Sequence, residues 1–144
     1  MIEFKHTALY HDSRGAAAIE FAMVAPMLIT MMLGVMQLGL TMYNYNSLRG
    51  AANDMARYAV IQTQLGNFQS DTDLTTQARS IAVATPYTLT TSRLTISVTQ
   101  PSSQRVSGAT EKTISVSYSV PSVLGIIGMR DIPITYSRPV FLEQ

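Results

Sequence analysis

One long apolar run constrains this chain more than any other feature. No charged side chain occurs between Phe21 and Leu48, and a single acid, Glu20, directly precedes the run. An apolar run longer than about 18 residues is a candidate for a membrane-spanning helix. A carboxylate at the mouth of such a helix is costly unless a partner neutralises it, so it is a candidate functional residue. The sequence therefore predicts a helix that spans a membrane, with Glu20 at its entrance.

The spacing between Gly15 and Glu20 would allow an ion pair to form after cleavage of the chain. If a peptidase cuts between Gly15 and Ala16, the new amine of Ala16 stands four residues before Glu20. Residues four apart lie on the same face of a helix, one turn from each other. In a medium of low dielectric constant, that amine would strongly attract Glu20 of its own chain or of a neighbouring subunit. Cleavage would thereby act as a switch for assembly.

The residues around this position form a recognisable motif. Residues 15–21, Gly-Ala-Ala-Ala-Ile-Glu-Phe, have the prepilin form, in which a glycine precedes an apolar segment with glutamate fifth and an aromatic residue next. Together with Pro26 and residues 55–59, Met-Ala-Arg-Tyr-Ala, this motif resembles the TadE-like family of minor pseudopilins over residues 13–59. Residues 37–40 depart from it, since many relatives carry acidic and basic side chains there. Residues 53–54, Asn-Asp, depart from a segment that is usually richer in alanine.

The resemblance implies a subunit of tight-adherence (Tad, Flp-type) type IV pili. It implies that residues 1–15 are a cytoplasmic leader, that a prepilin peptidase cuts between Gly15 and Ala16, and that Glu20 and Phe21 serve assembly. The implied partners are the membrane, the peptidase, other minor pseudopilins and the major pilin. The implied location is the bacterial inner membrane, crossed once, with a periplasmic head and the extracellular pilus as a further destination. The orientation follows from the resemblance alone, because basic residues flank the span equally on both sides.

Two features of the apolar run bear on how it packs. Pro26 lacks a backbone donor and predicts a kink in the helix. Met23, Met27 and Met31 recur at every fourth residue and form a stripe of flexible, polarizable side chains. The stripe is interpreted either as lipid-facing surface or as a contact between subunits of a filament.

The helix is expected to continue beyond the membrane. We predict a transmembrane helix over residues 16–40 and its continuation over residues 41–66, where Gly66-Asn67 is a suitable C-terminal cap. An apolar seam with helical spacing runs along the continuation. Its members are Leu48, Ala52, Met55 and Ala59.

Residues 67–144 are predicted to form a small head domain. Asp71-Thr72-Asp73 offers N-caps for a short helix that ends near Ala84. The period of the pattern then changes to two, which predicts strands over residues 94–98 and 114–120. A third strand over residues 132–142 contains two prolines, which confine it to a sheet edge or interrupt it. The predicted fold class is therefore α+β and pilin-like, with a long helix, a short helix and about three antiparallel strands.

The connection between the second and third strands is unusually apolar. Residues 123–129 read Val-Leu-Gly-Ile-Ile-Gly-Met. We interpret this segment either as a cover that folds back on the sheet or the helix, or as a docking patch for another subunit. Under the second interpretation, Leu124, Ile126 and Ile127 are candidate contact residues.

Several classes of chemistry find no support in the sequence. The absence of cysteine excludes disulfides, thiolate zinc sites and cysteine nucleophiles. The two histidines, His6 and His11, both lie in the predicted leader, and Arg130-Asp131 is interpreted as a solvated turn pair. A net charge of +1 and scattered basic residues give no basis for binding nucleic acid. We expect no enzyme activity, cofactor, metal site or small-molecule substrate.

Two alternatives from other classes stay open. The first is an uncleaved single-pass envelope protein with a periplasmic binding or scaffolding domain. The second is a secreted enzyme released from its helix, which would need a mature form that begins after Leu40 and a catalytic constellation.

Overall fold

The computed structural model describes residues 13–143, and the side chains of residues 15–142. The fold is α+β, with a long N-terminal helix, a short second helix and a three-stranded antiparallel sheet, as the sequence predicts. Most of the predicted leader, including His6 and His11, lies outside the described residues. The elements are α1 (Ser13–Gln64), α2 (Asp71–Val83), β1 (Leu94–Thr99), β2 (Ala109–Val120) and β3 (Ile132–Glu143), with 3₁₀ segments at Thr91–Arg93 and Val123–Ile127.

Helix α1 is one continuous helix of 52 residues, which gives a length of about 78 Å at 1.5 Å per residue. It remains helical on both sides of Pro26, whose carbonyl accepts a hydrogen bond of 2.8 Å from the Thr30 hydroxyl. The predicted cap at its end is confirmed. Gly66 has a φ of 76°, and its amide and that of Asn67 bond back to the carbonyls of residues 63 and 62, as in a Schellman motif.

The sheet is a meander in which β2 lies between β1 and β3. Ile96 faces Val116 across the first pair of strands, and Ser115 faces Ser137 across the second. Strand β3 is an edge strand that pairs along its whole length, so its two prolines confine it to the edge without interrupting it.

The core forms where the second half of α1 meets the sheet and α2. The predicted seam on α1 is confirmed, since all four of its members are buried. Alanines dominate this face and allow α2 and the sheet to approach the helix closely. Larger side chains from the sheet, such as Val116 and Val120, fill the space and are fully buried. Burial of each such side chain stabilises the fold by about 1.5–3 kcal/mol.

The start of α2 differs from the prediction. The N-cap is Ser70, whose hydroxyl oxygen accepts from the amide of Asp73 at 3.1 Å and donates to its carboxylate at 2.6 Å. Asp71 and Asp73 lie instead in the first turn, where the helix dipole favours negative charge. Asp71 also pairs with Lys112 of β2 at 2.6 Å, and so ties α2 to the sheet.

Arg130 and Asp131 are both exposed, as their interpretation as a solvated pair predicts, but the acid also makes structural contacts that the sequence did not reveal. The Asp131 carboxylate accepts from the amide of Ser122 at 3.0 Å and from the guanidinium of Arg93. These hydrogen bonds, first that from Ser122 and then that from Arg93, hold the pKa of Asp131 below its usual range. The contact joins the start of β1 to the connection between β2 and β3.

Among the glycines of α1 in the described residues, Gly50 is the one that another element approaches closely. A Cβ atom at this position would lie 2.5 Å from Cε1 of Tyr87, which is closer than side chains pack. The Tyr87 ring is held in place because its hydroxyl donates to Asp54 at 2.7 Å. This hydrogen bond is also the largest cause that raises the pKa of Tyr87.

We therefore predict that Gly50→Ala destabilises the head. The Tyr87 ring must move and its bond to Asp54 is lost, and overpacking of this kind costs about 1–3 kcal/mol. Thermal unfolding of the detergent-solubilised protein measures the effect. Gly39→Ala is the matched control, because a Cβ at this helical position meets nothing within 4 Å. A melting temperature for Gly50→Ala at or above that of the control would contradict the prediction.

Candidate membrane and assembly site

The first half of α1 carries apolar surface that the described part of the chain leaves uncovered. Twelve large apolar side chains between residues 19 and 38 are more than half exposed. A window of 18 residues in this helix has a mean hydropathy of 1.9 and is 0% buried. By length and composition the helix is able to cross a membrane, and about 20 such residues span the hydrocarbon core. These twelve side chains are thus free to contact lipid or other helices.

The predicted cleavage and assembly residues lie together near the start of this helix. Gly15, Ala16, Glu20 and Phe21 all belong to α1 and are exposed. The helix brings Ala16 and Glu20 onto one face, one turn apart. A Cβ added at Gly15 meets nothing within 4 Å. Packing within the described chain therefore gives no reason for a glycine at position 15.

Glu20 shares its helix face with the methionine stripe. Residues 20, 23, 27 and 31 follow one another at intervals of three and four, which places them in one row along a helix. Met23, Met27 and Met31 are 77%, 75% and 68% exposed. The row thus combines one acid with flexible apolar side chains that adapt to irregular partners.

Gln37 is a site residue that sequence reasoning missed. Its side chain is 4% exposed, although it lies in the predicted membrane segment. Its Oε1 accepts from the amide of Val123 at 2.7 Å, and its Nε2 donates to the carbonyl of Pro121 at 3.3 Å. A lone amide in an apolar helix is costly unless it is hydrogen-bonded, and this was the signal that could have identified it.

The apolar connection after β2 has an inward and an outward side. Leu124 is buried against its own chain, and Ile126 and Ile127 are 91% and 61% exposed. Gly128, with a φ of 84°, closes the 3₁₀ segment and accepts no side chain without strain. Only Ile126 and Ile127, of the three residues predicted as contacts, present their side chains to a partner.

Within the described residues, six charged groups of the head form three ion pairs, Arg93 with Asp131, Arg105 with Glu111 and Lys112 with Asp71. The carboxylate of Glu111 is buried and accepts hydrogen bonds from two nitrogens of the Arg105 guanidinium, Nε and Nη2. These bonds hold the pKa of Glu111 below its usual range. Within residues 13–143, no group of three or more histidine, cysteine, aspartate or glutamate side chains is arranged to hold a metal ion.

Residues 15–57 match the family model described as TadE-like protein. The matched segment contains the predicted cleavage position, Glu20, the methionine stripe and Gln37, and the match confirms the resemblance. No curated protein and no solved structure matches the chain. The family and the apolar helix fit a membrane protein related to the Tad pilus, and the family is a structural rather than an enzymatic kind of protein.

We predict that Gln37→Met loosens the connection between β2 and β3. Methionine keeps the length of the side chain but leaves the Val123 amide and the Pro121 carbonyl without their partner. A buried polar group left without a partner costs about 1–3 kcal/mol. Hydrogen exchange should therefore become faster at the Val123 amide. Leu38→Met, at an exposed neighbouring position, is the control, and equal protection of Val123 in both variants would contradict the prediction.

Proposed function

We propose that this chain, whose residues 15–57 match the TadE-like family, is a minor pilin-like subunit of a Tad-type adhesive pilus. The observation that carries the proposal is the division of α1 into an uncovered apolar half and a half that packs on a small head. The first half would hold the subunit in the bacterial inner membrane. The N-terminus would lie in the cytoplasm and the head in the periplasm, until the subunit joins the pilus.

The proposal includes cleavage between Gly15 and Ala16 by a prepilin peptidase. Glycine costs a helix about 0.5–1 kcal/mol relative to alanine, so Gly15 weakens the first turn of α1, where the peptidase must reach the backbone. The absence of a side chain would also leave the scissile bond unobstructed. No neighbouring atom of the described chain would clash with a side chain at position 15. Recognition by the peptidase is therefore the best reason for a glycine there.

Cleavage would change the electrostatics of the helix start. Helix α1 now begins at Ser13 and has no acid in its first turn. After the cut it would begin at Ala16, with a cationic amine at its end and Glu20 one turn further along. The helix dipole makes a positive charge at a helix N-terminus unfavourable and a negative one favourable. Pairing with the Glu20 carboxylate would therefore offset the unfavourable interaction of the Ala16 amine with the dipole.

Assembly would use the row that Glu20 shares with the methionines. A carboxylate in lipid must find a cation, and the amine of a neighbouring subunit would supply one at the helix surface. Met23, Met27 and Met31 would then pack against the neighbour's helix. In this mechanism the acid sets the axial position of two subunits and the methionines provide the contact area.

The first test is the N-terminus of the protein in cells. Mass spectrometry is expected to find that the wild-type chain begins at Ala16 and that Gly15→Ala retains its leader. The added methyl group meets nothing within 4 Å, so it does not disturb the head. Gly34→Ala, at a helical position where an added Cβ likewise meets nothing within 4 Å, is the control and should be processed normally. A wild-type chain that keeps residues 1–15 in cells with active peptidase would favour the uncleaved envelope protein instead.

The second test separates assembly from cleavage. Glu20→Gln keeps the size of the side chain and removes its charge. We expect this variant to be cut after Gly15 but to lose co-purification with the major pilin, because the amine no longer has an anion to pair with. Glu20→Asp keeps the charge on a shorter side chain and should retain part of the interaction. Wild-type recovery of pilin with Glu20→Gln would contradict this role for the acid.

A further inference from the structure

The head reaches further along α1 than a membrane boundary at residue 40 allows. On the face of α1 that packs on the head, partial burial begins at Leu33 and Gly34, and Gln37 is buried. The 3₁₀ segment Val123–Ile127 contacts this part of the helix. The hydrogen bonds from Gln37 to the backbone of residues 121 and 123 fix the segment at that level.

The length of the helix places this level at the edge of the hydrocarbon. From Glu20 to Gln37 the chain advances 17 residues, or about 26 Å at 1.5 Å per residue. The hydrocarbon core of a bilayer is about 30 Å thick. If Glu20 marks one boundary, Gln37 lies about 4 Å inside the other. Helix side chains also lean towards the N-terminus, and so the Gln37 amide points further into the membrane.

The hydrogen bonds of Gln37 fit such a position. Polar groups within the hydrocarbon find no water and must be satisfied by the protein itself. The Pro121 carbonyl and the Val123 amide satisfy both ends of the Gln37 side chain. The same two bonds satisfy backbone groups of the connection, which would otherwise enter the membrane unpaired.

The tip of the connection has the composition of a membrane-contacting loop. Ile126, Ile127 and Met129 are at least half exposed, and we refer to these three residues as the apolar tip. The next residue, Arg130, is exposed and basic. Apolar side chains buried at the boundary of head groups and acyl chains, followed by a cation at the level of the phosphates, are typical of interfacial anchoring.

We propose that the apolar tip inserts into the periplasmic leaflet of the membrane that α1 crosses, with Arg130 at the level of the lipid phosphates. This rests on the proposed function, in which α1 spans the inner membrane and the head lies on its far side. The argument for lipid is continuity, since the tip follows directly from a segment that is bonded to the membrane-spanning part of α1. The head would then touch the bilayer at a second point beside the helix itself.

The test uses the absence of tryptophan from the sequence. Ile126→Trp gives the protein a single tryptophan, which can be excited selectively beside the seven tyrosines, at a side chain that is 91% exposed and has room for it. The protein is reconstituted at low density in vesicles of phosphatidylethanolamine and phosphatidylglycerol, with or without lipids brominated at a chosen depth. We expect a blue-shifted emission that is quenched most by bromine near the glycerol end of the acyl chains. Ile127→Trp repeats the measurement in case one variant misfolds.

Two matched positions calibrate the result. Phe68→Trp places the tryptophan at an exposed aromatic position at the opposite end of the head. Its tryptophan should emit as in water and should not be quenched by brominated lipid. Met23→Trp lies in the predicted span and should be quenched by bromine deep in the acyl chains.

The outcomes separate the two proposals. Emission from positions 126 and 127 like that of Phe68→Trp, with quenching kept at position 23, overturns insertion of the tip and leaves the spanning helix intact. A blue shift at position 126 without quenching by lipid also overturns it, because the tip then contacts protein. Loss of quenching at position 23 as well as at the tip overturns the spanning helix and the tip together.

Discussion

The packing of one face of α1 against the sheet is the interaction on which the head depends. This face is built largely from alanines, which let the sheet approach the helix closely. The larger side chains that fill the core come mainly from the sheet. Gly50 shows how tight the fit is, because Tyr87 occupies the place of a side chain there. A helix that would be only an anchor in its first half becomes, over its second half, the central element of a folded domain.

The elements that the sequence predicted well are those with local patterns. The apolar run and the seam from Leu48 to Ala59 have helical spacing, the strands alternate with period two, and Gly66 marks the end of α1. Each of these signals is contained within a few turns or a few strand residues. The hydrophobic effect acts on such periodic patterns regardless of what the pattern finally packs against.

Two kinds of feature could not be predicted from the sequence. In one, several neighbouring residues suit the same role; in the other, a side chain bonds to a partner far away in the sequence. Four consecutive residues, 70–73, are all able to cap a helix, and only the structure shows that Ser70 does so. The partners of Gln37 are backbone groups more than 80 residues away, which no local pattern encodes. Asp131 likewise finds Arg93 rather than its neighbour in the chain. The interpretation of the apolar connection needed the fold, since Leu124 and Ile126 take opposite sides of one short turn.

The continuity of α1 has a consequence for orientation. Each helical residue turns the chain by about 100°, and the 17 residues from Glu20 to Gln37 leave these two side chains about 100° apart around the axis. The helix is continuous between them. The direction in which Glu20 points from the helix axis therefore also fixes the direction in which the head lies. In the proposed assembly, a neighbouring subunit that binds Glu20 would therefore also determine which face of the sheet points away from that neighbour.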